Sequence, residues 1–144
     1  MASWTSEVRS FLDAHRLGHL ATIGQDATPH VVPVCYALDD AGLYVVADEK
    51  RKRGPAHRLA RLQNLRRVPR AALVVDTYDE DWTRLAWVMV RGAAEFLTEP
   101  QAHASALALL RTRYPQYRVM GLDDPHTHPI FRLVPERVTT WRAA

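Results

Sequence analysis

Six β-prone runs, each bounded by turn-forming residues, narrow the ways in which this chain can fold. They are His19–Ile23, His30–Tyr36, Leu43–Ala47, Ala71–Val75, Leu85–Leu97 and Ile130–Trp141. Turn-rich segments separate several of them: Gly24 to Pro29, Asp39 to Gly42, and the acidic stretch Asp76 to Asp81. The first three runs follow one another closely, which predicts an antiparallel meander. Pro33 cannot donate a ladder hydrogen bond, so its strand is expected at a sheet edge or at a bulge. Ala71–Val75 is continuously apolar and is expected to be well buried. In the long fifth run Val88, Val90, Gly92, Ala94 and Phe96 should face one side, and Trp87, Met89, Arg91, Ala93 and Glu95 the other. The last run is expected to kink at Pro135.

Three helices interleave with these strands. Trp4, Val8, Phe11, Leu12 and His15 form one stripe, with Ser3, Thr5 or Ser6 as cap and Gly18 as end. Gly54-Pro55 opens a second helix whose Leu59, Leu62 and Leu65 share a face, ended by Val68-Pro69. Thr98-Glu99-Pro100-Gln101 matches a capping box with Thr98 as cap, and that third helix should run to Tyr114, stopped by Pro115. Alternating βαβ units would not supply six strands in this order. The expectation is a mainly β, six-stranded antiparallel barrel with flanking helices, in a single domain spanning 1–144.

No run of about 18 apolar residues occurs, and the first residues lack a basic segment followed by an apolar one. With Cys35 as the one cysteine, no disulfide can form within the chain. A cytoplasmic protein is expected, with no membrane partner. Glycine-rich nucleotide fingerprints, a G-x-S-x-G elbow, C-x-x-C and H-E-x-x-H are all missing. Hydrolase, kinase and zinc-enzyme chemistry therefore find no support, whereas chemistry carried by a bound cofactor stays open.

The net charge of +3 is unevenly spread. Residues 50–70 hold nine of the nineteen basic residues and no acid. Within them Asp48-Glu49-Lys50-Arg51-Lys52-Arg53-Gly54-Pro55 sets cations between a strand and a helix start, where free N–H groups favour a phosphate. Lys and Arg there would add charge-assisted hydrogen bonds. A solvated basic face or a weak nucleic-acid patch is the competing reading, although no helix-turn-helix or aromatic single-strand platform accompanies it, so no nucleic-acid partner is expected. Asp123 to His128 contains H-x-H, a weak metal signal that loops often carry; no metal is expected. Cys35 reads as an inert buried thiol. His30 is a satisfied strand-end residue or a ligand contact. Trp82 and Trp87 are core or interface residues, or stacking partners for a ring.

The order of these segments resembles the pyridoxamine 5'-phosphate oxidase-like split-barrel superfamily, and within it the class dependent on the deazaflavin F420. The likeness is carried by Leu20–Ile23, Thr28–Val34, the basic stretch, Asn64–Leu73, Asp79–Trp82, Val90–Ala94 and Leu133–Trp141. It implies a split barrel that forms a homodimer with two cofactor sites at the interface. It also implies a site in which His30 and Pro33 pass the ring system and Val46, Ala47 and Asp48 border it. Lys50, Lys52, Arg58 and Arg61 become candidates for the cofactor phosphate, and Trp82 matches an aromatic near the ring. The implied activity is that of an F420-dependent oxidoreductase, transferring a hydride to a small organic substrate. The same fold also accommodates FMN-dependent oxidoreductases and non-catalytic flavin or haem binders. No catalytic side chain is assigned.

Overall fold

A computed structural model describes residues 4–48 and 59–144. Its helices are α1 (Ser6–Ala14), α2 (Ala60–Arg67) and α3 (Pro100–Arg113). Its strands are β1 (Gly18–Ile23), β2 (Pro29–Val34), β3 (Ala37–Asp39), β4 (Gly42–Val46), β5 (Arg70–Thr77), β6 (Ala86–Phe96) and β7 (Ile130–Arg142). All seven lie in one sheet of order β2-β1-β5-β6-β7-β4-β3, with every pairing antiparallel. The sequence pattern predicted six strands. The seventh, β3, has three residues, too few to establish a period of two, and it pairs with β4 across the Asp39–Gly42 turn.

The expected meander is also corrected. β2 does not lead into a neighbouring strand; β2 and β3 are consecutive in the chain yet form opposite edges of the sheet. Only Cys35 and Tyr36 separate them. Three peptide steps reach at most about 11 Å, so the two edges must approach one another and the sheet must curl. They do so without a ladder between them, which makes the barrel split. Pro33 is tolerated because β2 is an edge, as anticipated.

Tyr36 anchors this crossing. It is fully buried, and its hydroxyl lies 2.6 Å from the Leu12 carbonyl and 2.8 Å from that of His15, to which it donates. Its backbone N–H donates to the Tyr114 hydroxyl, which in turn donates to the Arg16 carbonyl. The end of α1 is thus tied to the seam and to the end of α3. Tyr36→Phe removes one donor from the Leu12 and His15 carbonyls, which keep Arg113 as the other, and is expected to cost about 0.5–1.5 kcal/mol in urea denaturation, with the fold retained.

One core cluster fills the barrel, built from Leu20, Leu43, Leu73, Val75, Val90 and Phe131 among others, and α2 seals it with Leu62 and Leu65. A second lies outside, where Leu107 and Leu110 of α3 pack against Tyr44, Val46 and Ile130. β5, expected to be well buried, is so on one face: Ala71, Leu73 and Val75 point into the barrel, while Ala72 and Val74 lie on the half-covered outer face. The alternation predicted for β6 holds for Val88, Val90 and Ala94. The irregularity expected at Pro135 is a bulge, with Gly92 opposite Pro135 but Arg91 opposite Arg137. Two helix ends differ in detail. Thr5 caps α1, which stops at Ala14 and leaves Gly18 to open β1. α3 is capped by Glu99, whose carboxylate accepts from the Ala102 N–H, because Pro100 occupies the first helical position and moves the cap one residue beyond Thr98. The predicted helix start at Gly54-Pro55 lies outside the described residues. Among the described residues no helix is long and apolar enough to cross a membrane.

Candidate functional site

The antiparallel registers bring several elements to one end of the sheet. Ile23 pairs with Pro29, Thr22 with both His30 and Ala71, Arg70 with Ala93, Phe96 with Phe131, and Val46 with Ile130. The start of β2, the end of β1 and the end of β4 therefore share that end, and the chain leaves β4 there into the cation-rich segment.

His30 sits beside Thr22 on the inward face of β2. Its Nδ1 is buried and has no hydrogen-bond partner among the described residues. Thr22 is buried and its Oγ1 accepts from Asn64 Nδ2 at 3.0 Å, while Asn64 Oδ1 accepts from Arg67 at 2.9 Å. Arg61 lies one turn before Asn64 and is 9% exposed, so its stem is packed against the barrel rather than spread on the surface. The His30 Nδ1 without a partner among the described residues is unusual at the mouth of an apolar barrel, since buried polar atoms are normally paired. It is the kind of site that a bound ring with polar edges would complete.

β4 delivers a rigid corner. Ala47 donates its N–H to the Pro129 carbonyl at 2.9 Å, and its own carbonyl accepts from His128 Nδ1 at 2.8 Å. His103, fully buried, donates from Nε2 to the His128 carbonyl. Val46 and Ala47 turn their side chains into the two cores. Asp48 is half-buried, and its carboxylate accepts from the Tyr117 hydroxyl at 2.5 Å. Burial, together with that carboxylate, pushes the Tyr117 hydroxyl far above its ordinary range, so it stays a phenol and a donor. The carboxylate is held toward the protein. Lys50, Lys52 and Arg58 lie outside the described residues.

Cys35, in the seam between β2 and β3, is likewise shifted upward by burial, opposed by a hydrogen bond with Tyr117. The reactive thiolate is therefore scarce at neutral pH. Iodoacetamide is expected to label Cys35 at least tenfold more slowly in the native protein than in urea at pH 8, measured by mass spectrometry.

The remaining candidates lie elsewhere. Pro33 is exposed toward the other end of β2, opposite His19. Trp82 is 66% exposed on a 3-10 turn at the β5–β6 hairpin tip, capped by Asp81. β6 has 11 residues, and at about 3.4 Å each it separates Trp82 from the site end by more than about 30 Å along the strand. Within one chain the structure brings His30, Ala47 and Asp48 to one end and leaves Trp82 at the other. On the outer face an apolar cleft of about 380 Å³ is floored by Ala21, Ile23, Pro29 and Ala72 and rimmed by Arg70 and Arg91. Val31, 61% exposed, extends this apolar surface. Trp87 and Trp141 pair across β6 and β7 on the same face.

Sequence reasoning missed Thr22, Tyr117 and His128 as site-building residues. His128 was visible only as part of a weak H-x-H metal pattern. Among the described residues no group of three His, Cys, Asp or Glu could hold a metal ion. Tyr117 carried no signal in spacing or composition.

A curled antiparallel sheet with an open seam and a buried polar mouth defines the split-barrel fold. The chain belongs to the pyridoxamine 5'-phosphate oxidase family, whose model matches residues 4–142. Comparison with curated proteins returns no match. Among solved structures it is similar to the conserved hypothetical protein Rv2991 from Mycobacterium tuberculosis, with TM-score 0.79 and 25% identity over 99% of this chain and 87% of that one. A FAD-binding protein from Mesorhizobium loti gives TM-score 0.67 and 26% identity, over 96% of this chain and 95% of that one. The haem storage protein HutZ from Vibrio cholerae, 14% identical, shares the fold with TM-score 0.72 over 98% of this chain and 95% of that one.

Proposed function

We propose that this protein is an F420-dependent oxidoreductase that transfers a hydride from the reduced deazaflavin to a small organic substrate. The observation that carries the reading is the buried His30 Nδ1, unpartnered among the described residues, beside the Thr22–Asn64 pair at the sheet end where β4 runs into the basic segment. An imidazole nitrogen suits a polar ring edge, and Lys50, Lys52, Arg58 and Arg61 supply charge for a phosphate. When bound, the cofactor supplies the two-electron chemistry. The chain would bind and orient it through the His30–Thr22 group and the basic segment, and would exclude water. Tyr117 contributes by drawing the Asp48 carboxylate away from the incoming anion.

The protein acts as a homodimer in this reading. The apolar outer face of β2, β1 and β5 covers a second copy about a two-fold axis perpendicular to the strands. Such an axis carries each hairpin tip toward the other copy's site end, which lets Trp82 approach the partner's ring. An axis parallel to the strands would instead set the acidic tips Asp79–Asp81 against each other. Val31→Asp is expected to shift sedimentation from dimer to monomer; an unchanged dimer would remove this face from the interface.

FMN is the second reading, favoured by the FAD-binding relative at 26% identity. Tryptophan-quenching titrations with F420 and with FMN separate the two. F420 should bind at about micromolar Kd or better, near 8 kcal/mol, and FMN at least tenfold more weakly. The reverse order would transfer the assignment to FMN, and no binding of either would remove the oxidoreductase reading.

A further inference from the structure

A second cleft of about 280 Å³ lies between the end of α2, the exit of β6 and the loop before β7. Its walls are Phe96, Leu97, Pro125 and Pro129, and its polar lining is Arg66, Thr98 and His126. Its lining includes none of His30, Thr22, Asn64, Ala47 and Asp48, although Pro129 takes the Ala47 N–H and Leu97 donates to the Ile130 carbonyl.

Arg66 sets this cleft apart. Its guanidinium carbon stands 4.1 Å from the centroid of the Phe96 ring, the shortest such approach among the described residues. Arg9, Arg70, Arg84, Arg111, Arg113, Arg132 and Arg142 all have carboxylate partners, whereas Arg66 has none among the described residues. The guanidinium lies over the Phe96 ring with no carboxylate partner among the described residues, so its N–H groups can receive a carboxylate with two parallel hydrogen bonds. Asp124 precedes Pro125 of the cleft wall. Its carboxylate accepts from the His126 backbone N–H at 2.8 Å, and that bond holds it below the usual carboxylate range. Thr98 adds a hydroxyl donor. The apolar walls would take a compact ring, and the volume sits just under the roughly 300 Å³ at which pockets for drug-sized ligands begin.

We propose that this cleft is a binding site for a small aromatic carboxylate, separate from the cofactor site. The carboxylate pairs with Arg66 and Thr98, and the ring lies against Leu97, Pro125 and Pro129. The proposal does not depend on which cofactor the protein uses.

The test uses the full chain with benzoate as probe and benzamide as its neutral isostere, followed by amide chemical shifts in ¹⁵N-labelled protein. Benzoate should move the Thr98 and His126 amides in a saturable way, and benzamide should not. Arg66→Gln should weaken benzoate at least tenfold, with Arg66→Lys intermediate because a point charge cannot pair bidentately. Arg66 is exposed, so both variants should keep the wild-type spectrum elsewhere. Saturating F420 or FMN should leave benzoate affinity unchanged. Equal binding of benzamide, an unaltered affinity in Arg66→Gln, or displacement of benzoate by either cofactor would each overturn the proposal.

Discussion

Gly92→Ala is expected to destabilise the protein by about 3–5 kcal/mol, measured by equilibrium urea denaturation, and to lower soluble yield. A Cβ at this position would stand 1.9 Å from the Val134 carbonyl oxygen, 2.9 Å from its carbon and 3.2 Å from the Glu136 nitrogen. All three are backbone atoms of β7, so no rotamer change relieves the clash. β7 must move away from β6, and that pairing is the longest ladder in the sheet, running from Ala86 to Phe96. The site is also the bulge at which β7 bends to follow the barrel, so a shift there propagates to the Val46–Ile130 junction that holds the candidate site. Gly121→Ala is the matched control. Nothing lies within 4 Å of its added carbon, and a change within about 0.5 kcal/mol is expected. If Gly92→Ala fell within 1 kcal/mol of wild type, the close approach of the two backbones would not be a constraint on this fold.

Much of this arrangement is legible in residue patterns, and the illegible parts share a cause. Alternation in β6 and the stripe of Val8 and Leu12 in α1 are local, and each survives folding with its buried face as read. Pro33 and Pro135 restrict their own backbones, so an edge and a bulge could be inferred from them alone. The separation of β2 from β4 could not. It depends on which strand β4 pairs with, and its partner β7 lies more than eighty residues further on. β3 escaped because three residues carry no periodicity. The site divides along the same line. His30 and Asp48 stand out as polar residues at the ends of apolar runs. Tyr117 and His128 matter only because the end of β4 lands against them, which no spacing in the chain announces. The even spread of aromatic residues likewise conceals that Trp82 lies at the far end of the sheet from the residues it was grouped with.

That separation sharpens what the basic segment should do. Lys50→Glu combined with Lys52→Glu is expected to weaken F420 binding at least 100-fold, read by tryptophan quenching, while sedimentation and thermal unfolding stay at wild-type values. Each lysine offers a phosphate a charge-assisted hydrogen bond of about 1.5–3 kcal/mol, and two such losses exceed the roughly 2.7 kcal/mol that a factor of 100 represents. Reversal adds repulsion to the loss. The effect should also carry an ionic-strength signature. Wild-type affinity should fall as salt rises through the range in which the screening length drops below about 10 Å, and the double variant should be nearly flat. A folding role would behave differently, since destabilisation would lower the melting temperature and leave the salt slope intact. His30→Ala provides the complementary measurement, because its imidazole lies with the Thr22–Asn64 pair at the barrel mouth. It should weaken the cofactor without altering the salt slope. If the double reversal left affinity unchanged while His30→Ala reduced it, the ring would still be seated at the mouth and the phosphate would have to be held by cations beyond Lys50 and Lys52.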